Sequence, residues 1–341
     1  MGLLTFGPAE VRRSYVAAMR MVATANGSRP FAGPKADLVK AFAGLVGCAE
    51  CHGLAQSIDF SDLLGPEEPW KDAEVALKVI TDGLKDEKDR KETAHAALLV
   101  ALYSPDPDAA GTQAARWLAE RLGAEEGWTS AIEQIANENA ATAKADVFRR
   151  MIAERIGVDK EEIARQMERH ALTEISTPET VARFLQLVGQ APAGTVAAEM
   201  RQFYEDAAFD IPGTAGVPLP VDFLGAHDCH HVLAGYPANP HGEVYTAVFN
   251  AANSSAGIGW LTVVLLQWHQ GIKLGVFPPA HAHLNPEIMA SAAHRGSHTK
   301  VDIYDPAWDW MSLLPRPLEE VRAALGIPPG GSVQPGQSWA E

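Results

Sequence analysis

Apolar residues recur at helical spacing along the first half of the chain. Val11, Tyr15, Met19 and Val22 follow i, i+4, i+8 and i+11, which places them on one face of a helix. Breaks such as the Pro-rich stretch 104–107 separate similar patterns, which predict further helices over 34–46, 72–84, 91–103, 109–122 and 129–156. Alternating runs and clusters of β-branched residues are scarce, so this half is predicted to be almost entirely helical.

The second half continues with the same periodicity. Val181, Phe184, Leu185 and Val188 share a helical face, and further helical segments extend to Ile327. We therefore predict an all-α protein with two helical domains, a bundle over 1–157 and a second domain over 176–327, joined by a linker over 158–175. The tail 328–341 is rich in Gly, Pro, Ser and Gln, a composition that predicts disorder.

Composition narrows the class of protein. The chain has 341 residues, 47% hydrophobic and 21% charged, which is typical of a globular protein. Its net charge of −15 argues against a nucleic-acid partner, because phosphate binding needs clustered Lys and Arg. No apolar run reaches the roughly 20 residues that span a bilayer. We expect a cytoplasmic protein without a transmembrane segment.

The number and spacing of the cysteines bear on their oxidation state and on metal or haem binding. With three cysteines and no recognisable secretory signal, we expect reduced thiols and no structural disulfide. Cys48, Cys51 and His52 match the CxxCH spacing of covalent haem attachment. Because that attachment takes place outside the cytoplasm, we discount haem; a helix end and a Cys/Cys/His contribution to a metal site stay open. Cys229 is expected to be a packing residue.

The most informative segment contains His227, Asp228, His231 and, after eleven further residues, Glu243. In a helix His227 and His231 share a face, because they are four residues apart. Proline and glycine residues between His231 and Glu243 are expected to end that helix and start another, which carries Glu243 back to the site. Two imidazoles and two carboxylates suit Zn²⁺, Fe²⁺ or Mn²⁺. The alternative is that these histidines lie in the core and bond to backbone carbonyls.

Aromatic and apolar residues downstream also have helical spacing. They could line a substrate cavity, although core packing is favoured: Trp260, Leu261, Val264, Leu265 and Trp268. Four other histidines are spare acid/base candidates, none of them preferred: His241, His269, His281 and His283.

The N-terminal half loosely resembles TerB-like helical domains, which are associated with tellurite resistance. The similarity rests on the helix 15–25 and the Asn26-Gly27 turn, and it covers roughly the first 150 residues. The acidic residue usual in that domain is replaced by Asn26. A generic helical bundle used for interaction is an equal alternative.

The C-terminal half resembles the coenzyme Q (ubiquinone) biosynthesis proteins of the Coq-four type. The HDxxH motif with Glu243 is the signature, and it is flanked in order by Ala191–Thr195, Val232–Pro237, Gly242–Val244, Ala292–Gly296 and Pro317–Ile327. The similarity covers roughly residues 175–327. Cys229 and His230 depart from the aromatic or aliphatic residues usual there, and the N-terminal half lies outside the usual domain.

This resemblance implies an all-helical domain in which His227, Asp228, His231 and Glu243 bind a divalent metal, with Asp228 and His231 as catalytic residues. It implies a role in removing the ring carboxylate of an apolar, aromatic or prenylated precursor and hydroxylating that carbon. It also implies peripheral membrane contact and assembly as a homo-oligomer or in a biosynthetic complex. The acidic chain leaves open a related reaction on a different metabolite.

Two other classes of function remain open from the sequence. In a Zn²⁺-dependent hydrolase, Asp228 is the general base and Glu243 the third ligand, by analogy with HExxH enzymes. In a scaffold that binds a lipid or a protein partner, the metal is structural. A closed site without a cavity favours the scaffold, because catalytic metals keep an open position.

Overall fold

The fold is all-α, as predicted. In the computed structural model, the residues described are 7–65, 67, 70–124, 149–150, 152–153, 156–169, 172–274 and 278–340. Across these ranges the only β-type pairing is an isolated bridge between Thr195 and Pro317. Within the same ranges, no helix is both long and apolar enough to cross a membrane.

Seven helices are described before residue 125. They are α1 (Ala9–Ala23), α2 (Pro34–Gly47), α3 (Ala49–His52), α4 (Ser61–Leu64), α5 (Ala73–Thr81), α6 (Glu87–Leu102) and α7 (Ala109–Leu122). The helix predicted to start at residue 91 begins one turn earlier, because the Asp86 side chain caps it by accepting from the Asp89 amide. The helix predicted over 129–156 falls almost entirely outside the described residues.

Eight helices are described after residue 156. They are α8 (Lys160–Glu168), α9 (Pro178–Gly189), α10 (Val196–Ala207), α11 (Val221–Ala234), α12 (Pro240–Asn253), α13 (Gly257–Val264), α14 (Pro286–Ser297) and α15 (Leu318–Leu325). A π-helical turn over Leu265–His269 continues α13, and short 3₁₀ turns lie at Leu172–Ile175 and Trp310–Leu313. The predicted linker 158–175 therefore contains helical structure.

Helices from the two halves pack against each other. In the first half, α1 packs against α2, α5, α6 and α7; in the second, α12 packs against α11, α13 and α14. Contacts of α2 with α14 and of α6 with α13 join these groups, and one hydrophobic core extends through both. The α12–α14 contact needs a glycine: a Cβ at Gly296 would lie 2.0 Å from the carbonyl oxygen of Phe249.

Two buried arginines stabilise the end of α11. Arg322 donates from Nε to the carbonyl of Leu233 at 3.1 Å and from Nη2 to that of Val232 at 2.9 Å. Arg295 donates to the carbonyl of Ala234 and, at 2.9 Å, to that of Pro328. The last carbonyls of a helix lack partners within the helix and carry partial negative charge, so the two guanidinium groups match them.

The tail differs from the predicted disorder over 328–341. Trp339 is buried and its amide donates to Asp206 at 2.6 Å, while the Val333 amide donates to the carbonyl of Gly235 at 3.0 Å. Two apolar side chains, Val333 and Trp339, are buried in an otherwise polar segment, and backbone hydrogen bonds hold it against α10 and α11. Composition averaged over the tail hides these two anchors.

The expectation of no structural disulfide is wrong, because a disulfide joins Cys48 and Cys51. Cys48 caps α3 and Cys51 lies in its only turn, so their Cα atoms are 5.3 Å apart, within the normal range for a disulfide. In this state neither cysteine is a thiolate ligand. Cys229 is fully buried in α11, as expected for a packing residue.

Candidate metal centre

Helix α11 presents His227 and His231 on one face. Their rings stack with centroids 4.8 Å apart and planes 9° from parallel, as the i, i+4 spacing predicts. His231 is fully buried, and His227 packs edge-on against the Trp260 ring with centroids 4.7 Å apart. Both imidazoles are therefore held in defined orientations.

Helix α12 brings Glu243 to these rings from its first turn. Asn239 caps the helix by accepting from the Gly242 amide at 2.9 Å, and Pro240 occupies the first turn, where no amide donor is needed. A Cβ at Gly242 would lie 1.9 Å from the carbonyl oxygen of Pro237. Glycine is thus required for the close approach that sets the position of Glu243.

The three side chains converge at distances that suit a metal ion. Oε2 of Glu243 lies 3.3 Å from Nε2 of His227 and 3.4 Å from Nε2 of His231, and one ligand atom from each residue lies within 4.8 Å of the others. Metal–ligand bonds of about 2.1 Å at tetrahedral angles place neighbouring ligand atoms about 3.4 Å apart. We call His227, His231 and Glu243 the cavity site.

The hydrogen bonds of His231 match those of a metal ligand. Its Nδ1 lies 3.0 Å from the carbonyl oxygen of Tyr236, which only accepts, so Nδ1 carries the proton and Nε2 faces Glu243. Thr246 Oγ1 is also 3.2 Å from Nδ1. Nε2 of His231 and Oε2 of Glu243 are buried, and their contact at 3.4 Å falls short of a regular hydrogen bond. A cation bound between them would satisfy both atoms.

The electrostatic surroundings of His231 also favour a cation at the cavity site. Burial lowers the pKa of His231, but the Glu243 carboxylate, Asp228 and the Tyr236 carbonyl together outweigh burial and raise the pKa above its usual value. The pocket around the imidazole therefore favours positive charge, which a proton on His231 or a bound cation would supply.

Asp228 lies beside the cavity site rather than within its ligand group. Its Oδ2 accepts a hydrogen bond from the hydroxyl of Tyr204 at 2.9 Å, one helix away on α10. Burial, reinforced by Glu243, raises the pKa of Asp228 to about 7 despite the opposing effects of His231 and Tyr204. The sequence predicts four ligands, and the structure brings three of them together, with Asp228 alongside.

An apolar cavity of about 460 Å³ opens onto the cavity site. His227, Asp228 and Glu243 contribute to its wall. The rest is mostly apolar and includes Leu219, Phe223, Leu224, Trp260, Val263 and Trp268. The two predictions for the downstream helix both hold in part: Trp260 and Trp268 line the cavity, whereas Leu261, Val264 and Leu265 pack in the core.

None of the four spare histidines is among the residues that line this cavity, although His241, His269 and His281 each follow a lining residue directly. His269 bonds to the carbonyls of Ala282 at 2.7 Å and Tyr103 at 3.2 Å, and His241, His281 and His283 are exposed. Sequence reasoning missed Tyr204 and Tyr236. Tyr236 stands next to the motif and could have been considered, but Tyr204 has no local signal because packing of α10 on α11 creates its contact with Asp228.

In comparisons with known proteins, no family model, curated protein or solved structure matches the chain.

Proposed function

We propose that the protein is a metal-dependent enzyme of the ubiquinone-biosynthesis type that acts on an apolar aromatic or prenylated carboxylate. The observation that carries the proposal is the convergence of His227, His231 and Glu243 beside an apolar cavity of about 460 Å³. Three protein ligands leave a coordination position open, as in catalytic metal sites. This adjoining cavity favours an enzyme over the alternative of a scaffold with a closed structural metal.

The cavity supports an apolar substrate with one polar end. Its volume lies within the range of small-molecule sites, and its apolar lining suits an aromatic ring with a prenyl substituent. His227, Asp228 and Glu243 form a polar group in its wall, which also contains Tyr204, Asp210, Asn239 and Gln267. A ring carboxylate placed toward the first three of these residues leaves the prenyl group against Trp260 and Trp268.

In this proposal, different residues bind the metal, orient its ligands and exchange a proton. A divalent metal supplies Lewis-acid chemistry, and a redox-active one such as Fe²⁺ also supplies oxygen chemistry. His227, His231 and Glu243 would hold the ion, and the Tyr236 carbonyl orients His231. Asp228, with a pKa near 7, exchanges a proton with the reacting group while Tyr204 fixes its carboxylate.

The proposed reaction replaces a ring carboxylate by a hydroxyl group. The ring carbon–carboxylate bond breaks with release of CO₂, one oxygen atom of O₂ enters the ring as hydroxyl, and the other leaves as water. Starting from the carboxylate, two electrons and three protons balance this step, so it requires an external two-electron reductant.

Turnover of a short-chain prenylated hydroxybenzoate, ¹³C-labelled in its carboxylate, tests the proposal. Protein loaded with Fe²⁺ or Mn²⁺ and supplied with O₂ and ascorbate should release labelled CO₂ and form the hydroxylated product. His231→Ala should abolish both, whereas His283→Ala, which removes an exposed histidine, should not. Wild-type protein that binds the metal yet releases no labelled CO₂ contradicts this substrate class.

One observation favours hydrolysis as a second candidate. Asp228 lies outside the ligand group, lines the cavity and has a pKa raised to about 7, which suits a general base that activates water. Cleavage of apolar esters by the Zn²⁺-loaded protein, abolished by Asp228→Asn with metal content unchanged, supports this reading. Absence of cleavage across a panel of aryl and acyl esters rejects it.

A further inference from the structure

A second group of histidines lies where the two halves of the chain meet. His52 ends the short helix α3, His294 lies in the last turn of α14 and His298 follows that helix directly. His294 and His298 are four residues apart and their ring centroids are 4.2 Å apart. One ring nitrogen from each of the three residues lies within 4.8 Å of the others. We call His52, His294 and His298 the bridging cluster.

We propose that the bridging cluster binds a second divalent transition-metal ion, Zn²⁺ by preference. Imidazole nitrogens suit Zn²⁺ and its neighbours in the first transition row, whereas Mg²⁺ and Ca²⁺ prefer oxygen. This ion connects the segment after α2 to α14, which itself packs against the helix that carries Glu243.

In two of the three rings, a hydrogen bond to a backbone carbonyl determines which nitrogen carries the proton. Nε2 of His52 lies 2.9 Å from the carbonyl oxygen of Leu45, and Nδ1 of His298 lies 2.9 Å from that of His294. Carbonyl oxygens only accept, so these ring nitrogens carry the protons. In the neutral rings the lone pairs are then on Nδ1 of His52 and Nε2 of His298. Metal-binding histidines commonly donate their other N–H to a carbonyl in this way.

The three rings pack against one another. His294 meets the His52 ring edge-on, with ring centroids 5.5 Å apart. The remaining histidine, His298, is half-buried against them, with its ring stacked on that of His52.

The Cys48–Cys51 disulfide constrains the backbone next to His52. It closes the turn directly before His52, and the Cys51 amide donates to Cys48 Sγ at 3.1 Å, so the backbone at His52 is held by two constraints. A preformed site loses less entropy on binding. The CxxCH segment, which also matches haem attachment, thus contributes its histidine rather than its sulfurs.

The site keeps an accessible side. A surface cavity of about 280 Å³ adjoins His294 and is lined also by Lys40, Leu45, Glu287 and Ser291. Three imidazoles leave the fourth position of a tetrahedral ion for water or an external anion. An ion bound at His294 would be reached from this cavity.

Titration with Zn²⁺ alone tests the proposal on the full chain. Metal-free protein is kept without reductant, and Zn²⁺ binding is followed by calorimetry in wild type and in His231→Ala/Glu243→Gln, which lacks the cavity site. We expect about two equivalents of Zn²⁺ in wild type and about one in that variant. Adding His294→Gln/His298→Gln should remove the remaining equivalent, and the matched control His283→Ala should not.

Two results overturn the proposal. One is a cavity-site variant that retains native circular dichroism and binds no Zn²⁺ at micromolar concentration. The other is a Zn²⁺ equivalent that survives His294→Gln/His298→Gln.

A measurement on wild-type protein covers the case in which these variants fail to fold. Zn²⁺ should protect His52, His294 and His298 from diethyl pyrocarbonate, read by peptide mass spectrometry, and leave exposed His283 reactive. Equal modification of the three histidines with and without Zn²⁺ contradicts the bridging cluster as a metal site.

Discussion

The cavity site and the bridging cluster use the same ligand chemistry in different settings. His227, His231 and Glu243 lie on two adjacent helices joined by a short turn, deep beside an apolar cavity. His52, His294 and His298 are half-buried and come from segments more than 240 residues apart in the chain. The cavity site is suited to chemistry on a substrate, whereas the bridging cluster is suited to joining parts of the fold. Burial, the adjoining volume and chain separation distinguish the two roles better than ligand type does.

The largest effect is expected at Arg295, which connects the two regions. It follows His294 of the bridging cluster and caps the helix that carries the cavity-site histidines. Arg295→Ala leaves buried carbonyls without a donor and creates a void, so we expect a loss of about 4 kcal/mol in the free energy of unfolding. Urea denaturation of the metal-free protein measures it. Arg201→Ala is the matched control, because Arg201 bonds to carbonyls at the more exposed end of α9 and should cost about 1 kcal/mol. Equal losses in the two variants would show that burial of Arg295 does not matter.

Removing one ligand of the cavity site should weaken Zn²⁺ binding there without changing Zn²⁺ binding at the bridging cluster. A four-ligand zinc site contributes about 10–16 kcal/mol, or about 3 kcal/mol per ligand, so Glu243→Gln should weaken Zn²⁺ binding at the cavity site about 100-fold. Binding at the bridging cluster should be unchanged, and competition with a chromophoric chelator resolves the two affinities. If both affinities fall together, the sites are coupled and the comparison between them fails.

Gly242→Ala should disturb the cavity site through the backbone alone. The added Cβ meets the carbonyl oxygen of Pro237, so the first turn of α12 must shift and carry Glu243 with it. We expect a cost of about 2 kcal/mol, with weaker Zn²⁺ binding at the cavity site only. Gly189→Ala is the control, because a Cβ there meets nothing within 4 Å. Thermal unfolding and Zn²⁺ titration measure the two effects; unchanged Zn²⁺ binding in Gly242→Ala would show that the glycine does not position Glu243.

The smallest change in the free energy of unfolding is expected at Asp108, which belongs to neither the cavity site nor the bridging cluster. Burial alone raises the pKa of Asp108, but hydrogen bonds from Lys35, Gly111 and Arg29 outweigh it and lower the pKa to about 2 from 3.8. A carboxylate with a lowered folded-state pKa stabilises the fold fully above its ordinary pKa. That contribution is lost as the pH falls from about 4 to about 2.

Asp108→Asn should therefore cost about 1–2 kcal/mol at pH 7 and less at pH 2. Denaturation of metal-free protein at both pH values checks the difference between wild type and variant. A difference that does not shrink in acid would contradict the ion-pair assignment.

Local sequence patterns predict most of the helices and part of the cavity site. The remaining features depend on contacts between residues far apart in the chain. Helical periodicity predicts α1, α2 and α7 closely, and the i, i+4 spacing predicts that His227 and His231 share a face, because both depend on a few neighbouring residues. The contact of Tyr204 with Asp228 and the bridging cluster depend on tertiary packing, which no local pattern carries. The disulfide was missed because an expectation about cellular location outweighed the CxxC spacing. The division into two domains and the resemblance to ubiquinone-biosynthesis proteins stay predictions.

Anomalous X-ray scattering from Zn²⁺-soaked crystals would locate a metal ion at the cavity site. We expect a peak about 2.1 Å from Nε2 of His227, Nε2 of His231 and Oε2 of Glu243, on the side of the apolar cavity. A map in which these three side chains are ordered around no anomalous peak, at a Zn²⁺ concentration that saturates binding in solution, would contradict it.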